Sequence, residues 1–222
     1  MRILVIGKEG QVARALAERA AAHGAVVTLI GRPLLDLADP SGIGDVLADI
    51  SGDVVVNAAA YTAVDQAETE PELAEAINGI GAGAVAGAAA AMNLPVVQIS
   101  TDYVFDGAAS RPYGEGDAPE PLGAYGRSKL LGEQAVAAAT ANHAILRTSW
   151  IYSPFGRNFV RTMLRLARER LLPVSCLFRR AIIRHPRGDR PIHGSTVRRS
   201  PQHMASPCPT GAPPCSPASG AC

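Results

Sequence analysis

The chain has 222 residues, 47% hydrophobic and 18% charged, with 21 basic and 20 acidic side chains and a formal net charge of +1. That composition suits one soluble globular domain with a full core and excludes a highly charged, core-poor disordered chain. Met1-Arg2 leads straight into a short apolar run with no leader pattern, and no stretch is expected to reach the roughly 20 apolar residues of a membrane span. A cytoplasmic location is therefore expected.

The run Ile3-Leu4-Val5-Ile6 reads as a buried strand that ends at Gly7, and Gly7-Lys8-Glu9-Gly10-Gln11-Val12-Ala13 leads into an alanine-rich helix from about Gln11 to His23. Without side chains at Gly7 and Gly10 the backbone can turn sharply and approach a diphosphate, whose charge suits the positive end of the helix. Ala13 stands where a third small residue lets helix and strand pack closely. An ordinary strand-to-helix turn is the plain alternative. A second strand, Val26 to Ile30, ends in Gly31-Arg32 rather than in the acidic residue that would bond both ribose hydroxyls of NAD. Arg32 can instead pair with a 2′-phosphate, which favours NADPH with NADH as the alternative, or it can be a solvated surface arginine.

Further buried-type runs follow at 53–57 and 95–100, with helical stretches near 41–50 and 71–92 between them. This alternation predicts an α/β fold of the Rossmann type, a doubly wound parallel sheet with helices on both faces and ligands at the carboxyl ends of its strands. Beyond it, Tyr125-Gly126-Arg127-Ser128-Lys129 places a tyrosine and a lysine on one face of a helix. An ammonium beside a phenol stabilises the phenolate and brings the proton within use at neutral pH, which suits carbonyl reduction. The spacing alone is common by chance, and its weight comes from the nucleotide turn before it.

Taken with Asn57-Ala58-Ala59-Ala60-Tyr61-Thr62-Ala63-Val64-Asp65, Ser100-Thr101-Asp102-Tyr103-Val104-Phe105 and Arg147-Thr148-Ser149-Trp150, these motifs closely resemble the dTDP-4-dehydrorhamnose reductases, a branch of the extended short-chain dehydrogenases. The resemblance covers roughly residues 1–170. It implies NADPH-dependent reduction of the C4 keto group of dTDP-4-dehydro-6-deoxy-L-mannose to dTDP-L-rhamnose. By that resemblance Tyr125 is the proton donor, Lys129 bonds the nicotinamide ribose and lowers the phenol pKa, and Thr101 offers its hydroxyl to the same oxygen. Asp102 would bond the sugar and Trp150 would enclose it. Gly7, Gly10, Gln11, Val12, Arg32, Asp36, Leu37, Ala60, Tyr61 and Thr62, together with Tyr125 and Lys129, would hold the cofactor. Each has a plainer reading: Thr101 or Asp102 can cap a turn, Trp150 can be core, and Asp36 can be a loop charge. A homodimer and a divalent metal are left open, as are a non-catalytic NAD(P)-binding subunit or sensor and another nucleotide-sugar enzyme such as an epimerase.

Composition changes after Arg170. Residues 1–170 hold 14 basic and 19 acidic side chains, whereas residues 171–222 hold seven arginines, no lysine and one aspartate, together with all four cysteines and nine of the 17 prolines. The expectation is a nucleotide-binding domain at 1–170, then an irregular Arg/Pro/Cys-rich tail at 171–222 in place of the family's smaller substrate domain. An out-of-frame translation of GC-rich DNA explains that composition, and weak or undetectable turnover is then expected. Arginine without lysine or interleaved aromatics weighs against a nucleic-acid-binding tail. Cys208, Cys215 and Cys222 recur every seven residues without C-x-x-C or histidine at ligand spacing, which weighs against zinc, and no disulfide framework is expected.

Overall fold

The computed structural model describes residues 1–169. The expected tail at 171–222, with its four cysteines, lies outside the described residues.

Five strands form one sheet: β1 (Arg2–Ile6), β2 (Val26–Ile30), β3 (Val54–Asn57), β4 (Val96–Thr101) and β5 (His143–Thr148). Their spatial order is β2-β1-β3-β4-β5 and every pairing is parallel. Parallel neighbours require crossovers, and the helices α1 (Gln11–Ala20), α2 (Ile43–Ala48), α3 (Pro71–Glu75), α4 (Gly81–Ala91) and α5 (Ala124–Ala139) lie between successive strands. The chain reverses its direction of winding at β1, the point where Rossmann-type sheets open a crevice. Burial on both faces explains why Leu4, Val5 and Ile6 are all fully enclosed instead of alternating.

The larger core lies on one face, where Leu4, Ile6, Ile30 and Val55 meet Leu47 of α2, Val85 and Ala89 of α4, and Val136 of α5. The opposite face packs Val5 and Val56 against Ala13 and Leu16 of α1. Ala13 thus fills the close-packing position expected of it. The first helix stops at Ala20 and finishes in a 3-10 turn, Ala21–His23, closed by Gly24 at φ 62°.

The stretch Pro71–Ala91 is helical over 21 residues, and its most apolar 18-residue window has mean hydropathy 1.3. Contrary to the expectation from composition, one segment therefore does have the length and apolar character of a membrane span. Its buried residues, among them Ala82, Val85, Ala86 and Ala89, belong to the core just described. A wider π turn, Ala76–Ile80, interrupts it. A Cβ at Gly132 of α5 would overlap the Asn78 carbonyl in that turn, so glycine is what allows the two backbones to touch. The last described helix, α6 (Phe159–Arg168), starts at Asn158, whose side chain accepts from the Arg161 amide at 3.0 Å.

Candidate active site

A cleft of about 540 Å³ opens at the carboxyl ends of β1, β3, β4 and β5. One wall is the turn after β1. Gly7 has φ +118°, a region that favours glycine, and a Cβ there would stand 3.3 Å from the Ala59 nitrogen. Gly10 is the N-cap of α1, no side chain caps that end, and no acidic residue stands in its first turn. The leading amides of α1 therefore stay available beside a glycine with space around it. This cradle fits a dinucleotide diphosphate both sterically and in charge.

The opposite wall comes from the exits of β4 and β5 and the start of α5. Thr101 and Thr148 lie in register on adjacent strands. Thr101 caps the short turn Asp102–Val104 by accepting from the Tyr103 amide at 3.2 Å, and its hydroxyl donates to Asp102 Oδ1 at 3.1 Å. Asp102 Oδ2 also accepts from the Ser149 hydroxyl at 2.6 Å. Thr101 thus caps that turn and also lines the cleft. Helix α5 begins where Glu68 Oε1 accepts from the Ala124 amide at 3.1 Å, and the next residue is Tyr125, set edge-on to Tyr103 with ring centres 5.6 Å apart.

Burial pushes the Tyr125 phenol above its ordinary pKa, the hydrogen bond with Thr101 opposes that rise, and the carboxylate of Asp102 adds to it. Lys129 is only 3% exposed, and its Nζ donates to the Ile99 carbonyl at 2.7 Å. Burial lowers its pKa to about 8, with Glu133 opposing. The sequence led us to expect an ammonium that acidifies the phenol. In the structure Thr101 is the group that pulls the phenol down, while the ammonium is spent on a backbone carbonyl.

Of the residues expected at the site, Gly10, Gln11, Val12, Ala60, Thr62, Thr101, Asp102, Tyr125, Lys129 and Trp150 line the cleft together. Others do not. Gly7 shapes the turn from behind. Arg32 is exposed after β2, outside the lining. Asp36 Oδ1 accepts from the Ala38 amide at 3.0 Å, the local turn contact of a loop charge. Leu37 is 5% exposed and packs in the core. Tyr61 sends its hydroxyl to Glu70 Oε2 at 2.7 Å, and its backbone is held by Asn78. Trp150 is 60% exposed at φ 54°, edge-on to Phe159 at 5.3 Å, so the core reading does not apply to it.

Sequence reasoning missed the segment that closes the cleft. The Gln11 side-chain oxygen accepts from the Ser153 hydroxyl at 3.1 Å and from Asn158 Nδ2 at 2.9 Å. These contacts bring Gly156 and Arg157 to the cleft lining beside the start of α1. Polar residues in a loop more than 140 positions from Gln11 give no local signal of such a contact. Among the described residues no group of three or more His, Cys, Asp or Glu side chains is arranged to hold a metal ion.

The parallel sheet, its glycine turn and the phenol-lined cleft define a Rossmann-type nucleotide-binding α/β domain. A family model described as the RmlD substrate binding domain matches residues 1–173, and the chain belongs to that family. A dTDP-4-dehydrorhamnose reductase of Sinorhizobium fredii is 54% identical over 167 residues, covering 75% of this chain and 56% of that protein. The enzyme of the same name from Salmonella typhimurium is 45% identical over 173 residues, 77% of this chain and 58% of its own length. A crystal structure of dTDP-4-dehydrorhamnose reductase from Bacillus anthracis in complex with NADP superimposes with a TM-score of 0.73 at 40% identity, over 76% of this chain and 60% of that one. The chain thus spans somewhat more than half the length of these relatives.

Proposed function

We propose that residues 1–170 form the NADP-binding and catalytic domain of a cytoplasmic dTDP-4-dehydrorhamnose reductase, reducing the C4 keto group of the dTDP-bound 4-keto-6-deoxyhexose to give dTDP-L-rhamnose. The observation that carries this reading is the convergence of Tyr125, Thr101 and Lys129 on one cleft whose far wall is the glycine turn. The names of the similar reductases and the NADP bound to one of them support it. Gly10, Gln11 and Val12 would hold the diphosphate, and Ala60 and Thr62 would flank the cofactor. When bound, the nicotinamide supplies the hydride that reaches the carbonyl carbon.

The chain's own residues do the rest. A phenol held above its ordinary pKa keeps its proton at neutral pH and can deliver it to the sugar oxygen as negative charge develops there. The Thr101 hydroxyl, whose proton rests on Asp102 Oδ1 here, would stabilise the same oxygen by turning that proton from the carboxylate to the sugar. Lys129, with a pKa of about 8, is mostly charged at pH 7 and sets a positive charge in the cleft wall. Asp102, oriented by Ser149, would accept from sugar hydroxyls, and the exposed Trp150 indole would cover the ring.

The test is Tyr125→Phe. NADPH should bind the variant as it binds the native chain, while the weak turnover expected of the native chain with the dTDP-keto sugar, followed at 340 nm, falls by at least about 10²-fold, to background. Failure of the native chain to bind NADPH or NADH, or undiminished turnover in the variant, refutes the proposal.

A further inference from the structure

Helix α5 carries two buried ionisable side chains one turn apart, Lys129 at 3% and Glu133 at 4% exposure. Residues four apart on a helix share a face, and here that face is turned to β4. Lys129 Nζ meets the Ile99 carbonyl at 2.7 Å and Glu133 Oε1 accepts from the Ser100 hydroxyl at 2.5 Å. From β5, Arg147 grips the same carboxylate with two nitrogens, Nε 3.0 Å from Oε1 and Nη2 2.6 Å from Oε2. Its guanidinium also lies 4.9 Å from the centre of the Phe105 ring. A carboxylate this deep is costly unless its lone pairs are met, and three elements converge to meet them.

Lys129 and Ser100 reach the cleft; Glu133 and Arg147 stand behind them, outside the lining. Apart from these two, the ionisable groups nearby are Tyr125 on the same helix and Asp102 and Tyr103 after β4. Of all of them, Glu133 is the one whose field favours the ammonium against the cost of burial. We propose that Glu133, held one helical turn from Lys129 by Arg147 and Ser100, is a positioning residue whose fixed carboxylate keeps Lys129 charged at the cleft wall. Its bearing on catalysis rests on the reductase reading above. The charge arrangement itself can be measured without nucleotide.

The chain contains two lysines, Lys8 and Lys129, so the full chain labelled with ¹³C,¹⁵N-lysine gives two side-chain signals that Lys8→Arg assigns. The native Lys129 signal should titrate with a midpoint of about 8. In Glu133→Gln the curve moves to lower pH, leaving Lys129 mostly neutral at pH 8. In Arg147→Gln, which leaves the carboxylate unopposed, it moves to higher pH. Loss of packing would instead carry both variants towards the free-lysine value of about 10.4. An unmoved curve in Glu133→Gln, or a rise in both variants, overturns the proposal. Should the glutamine variant fail to fold, the native chain still decides: the Glu133 carboxyl carbon must register the Lys129 titration, and a flat signal across it overturns the proposal. NADPH titration of the same samples tests the cofactor reading separately, because absence of nucleotide binding leaves the lysine curves to be judged alone.

Discussion

Replacing Asn78 with alanine removes three hydrogen bonds from the centre of the molecule. The side chain is 2% exposed, its Oδ1 accepts from the Tyr61 amide at 2.8 Å, and its Nδ2 donates to the Tyr61 carbonyl at 3.1 Å and to the Ser128 hydroxyl at 2.9 Å. At about 1 kcal/mol for each bond the loss is about 3 kcal/mol, and the half-buried Tyr61 amide and carbonyl left without this partner push it upward. With a urea slope of about 2 kcal/mol per molar, the unfolding midpoint should fall by about 1.5 M. Equilibrium unfolding in urea, followed by far-ultraviolet circular dichroism, measures this directly. The same substitution frees Tyr61 and Thr62 beside the cleft, so NADPH binding should weaken together with stability. A midpoint shift below about 0.5 M at an unchanged slope would refute the reasoning, because three bonds in so dry a site cannot be lost so cheaply.

Lys129→Met should raise stability while it harms the site. The lysine pKa falls from 10.5 to about 8 on folding, so the unfolded chain binds the extra proton between those values and a burial penalty is fully present below pH 8. About 3 kcal/mol of penalty, less about 1 for the lost bond to Ile99, leaves a gain of about 2 kcal/mol at pH 7. That gain should fade as pH rises from 8 to 10.5, and unfolding at both pH values checks the sign. In Gly126→Ala the new methyl would overlap the Tyr103 carbonyl and press on Pro121, so α5 must move. A loss of about 1–3 kcal/mol in thermal or urea unfolding and weaker NADPH binding are expected. Arg32→Ala should lower NADPH affinity about tenfold, or 1.4 kcal/mol, and spare NADH, as read by parallel fluorescence titrations.

The sequence revealed what depends on local pattern. β2 is marked by Val26-Val27-Thr28-Leu29-Ile30 between glycine-containing turns, and the glycine turn and the Tyr125–Lys129 face follow from spacing alone. β5 went unread as a strand: it stands at the sheet edge among the described residues, and its burial alternates weakly along His143-Ala144-Ile145-Leu146. The π turn at Ala76–Ile80 has no period of its own, being fixed by a carbonyl pressed onto Gly132 across the helix interface. The burial of the Leu37 side chain in the core, by contrast, had no local signal in the sequence. The burial that pushes the Tyr125 phenol up was not legible, because spacing shows which charges are near but not how deeply the ring is buried.

The contacts from Ser153 and Asn158 to Gln11 span 142 and 147 residues. During synthesis the glycine turn leaves the ribosome early, yet the mouth it helps to form stays unfinished until position 158 emerges. A nascent chain halted before that point would carry the phosphate cradle without the Ser153 and Asn158 contacts that pin Gln11.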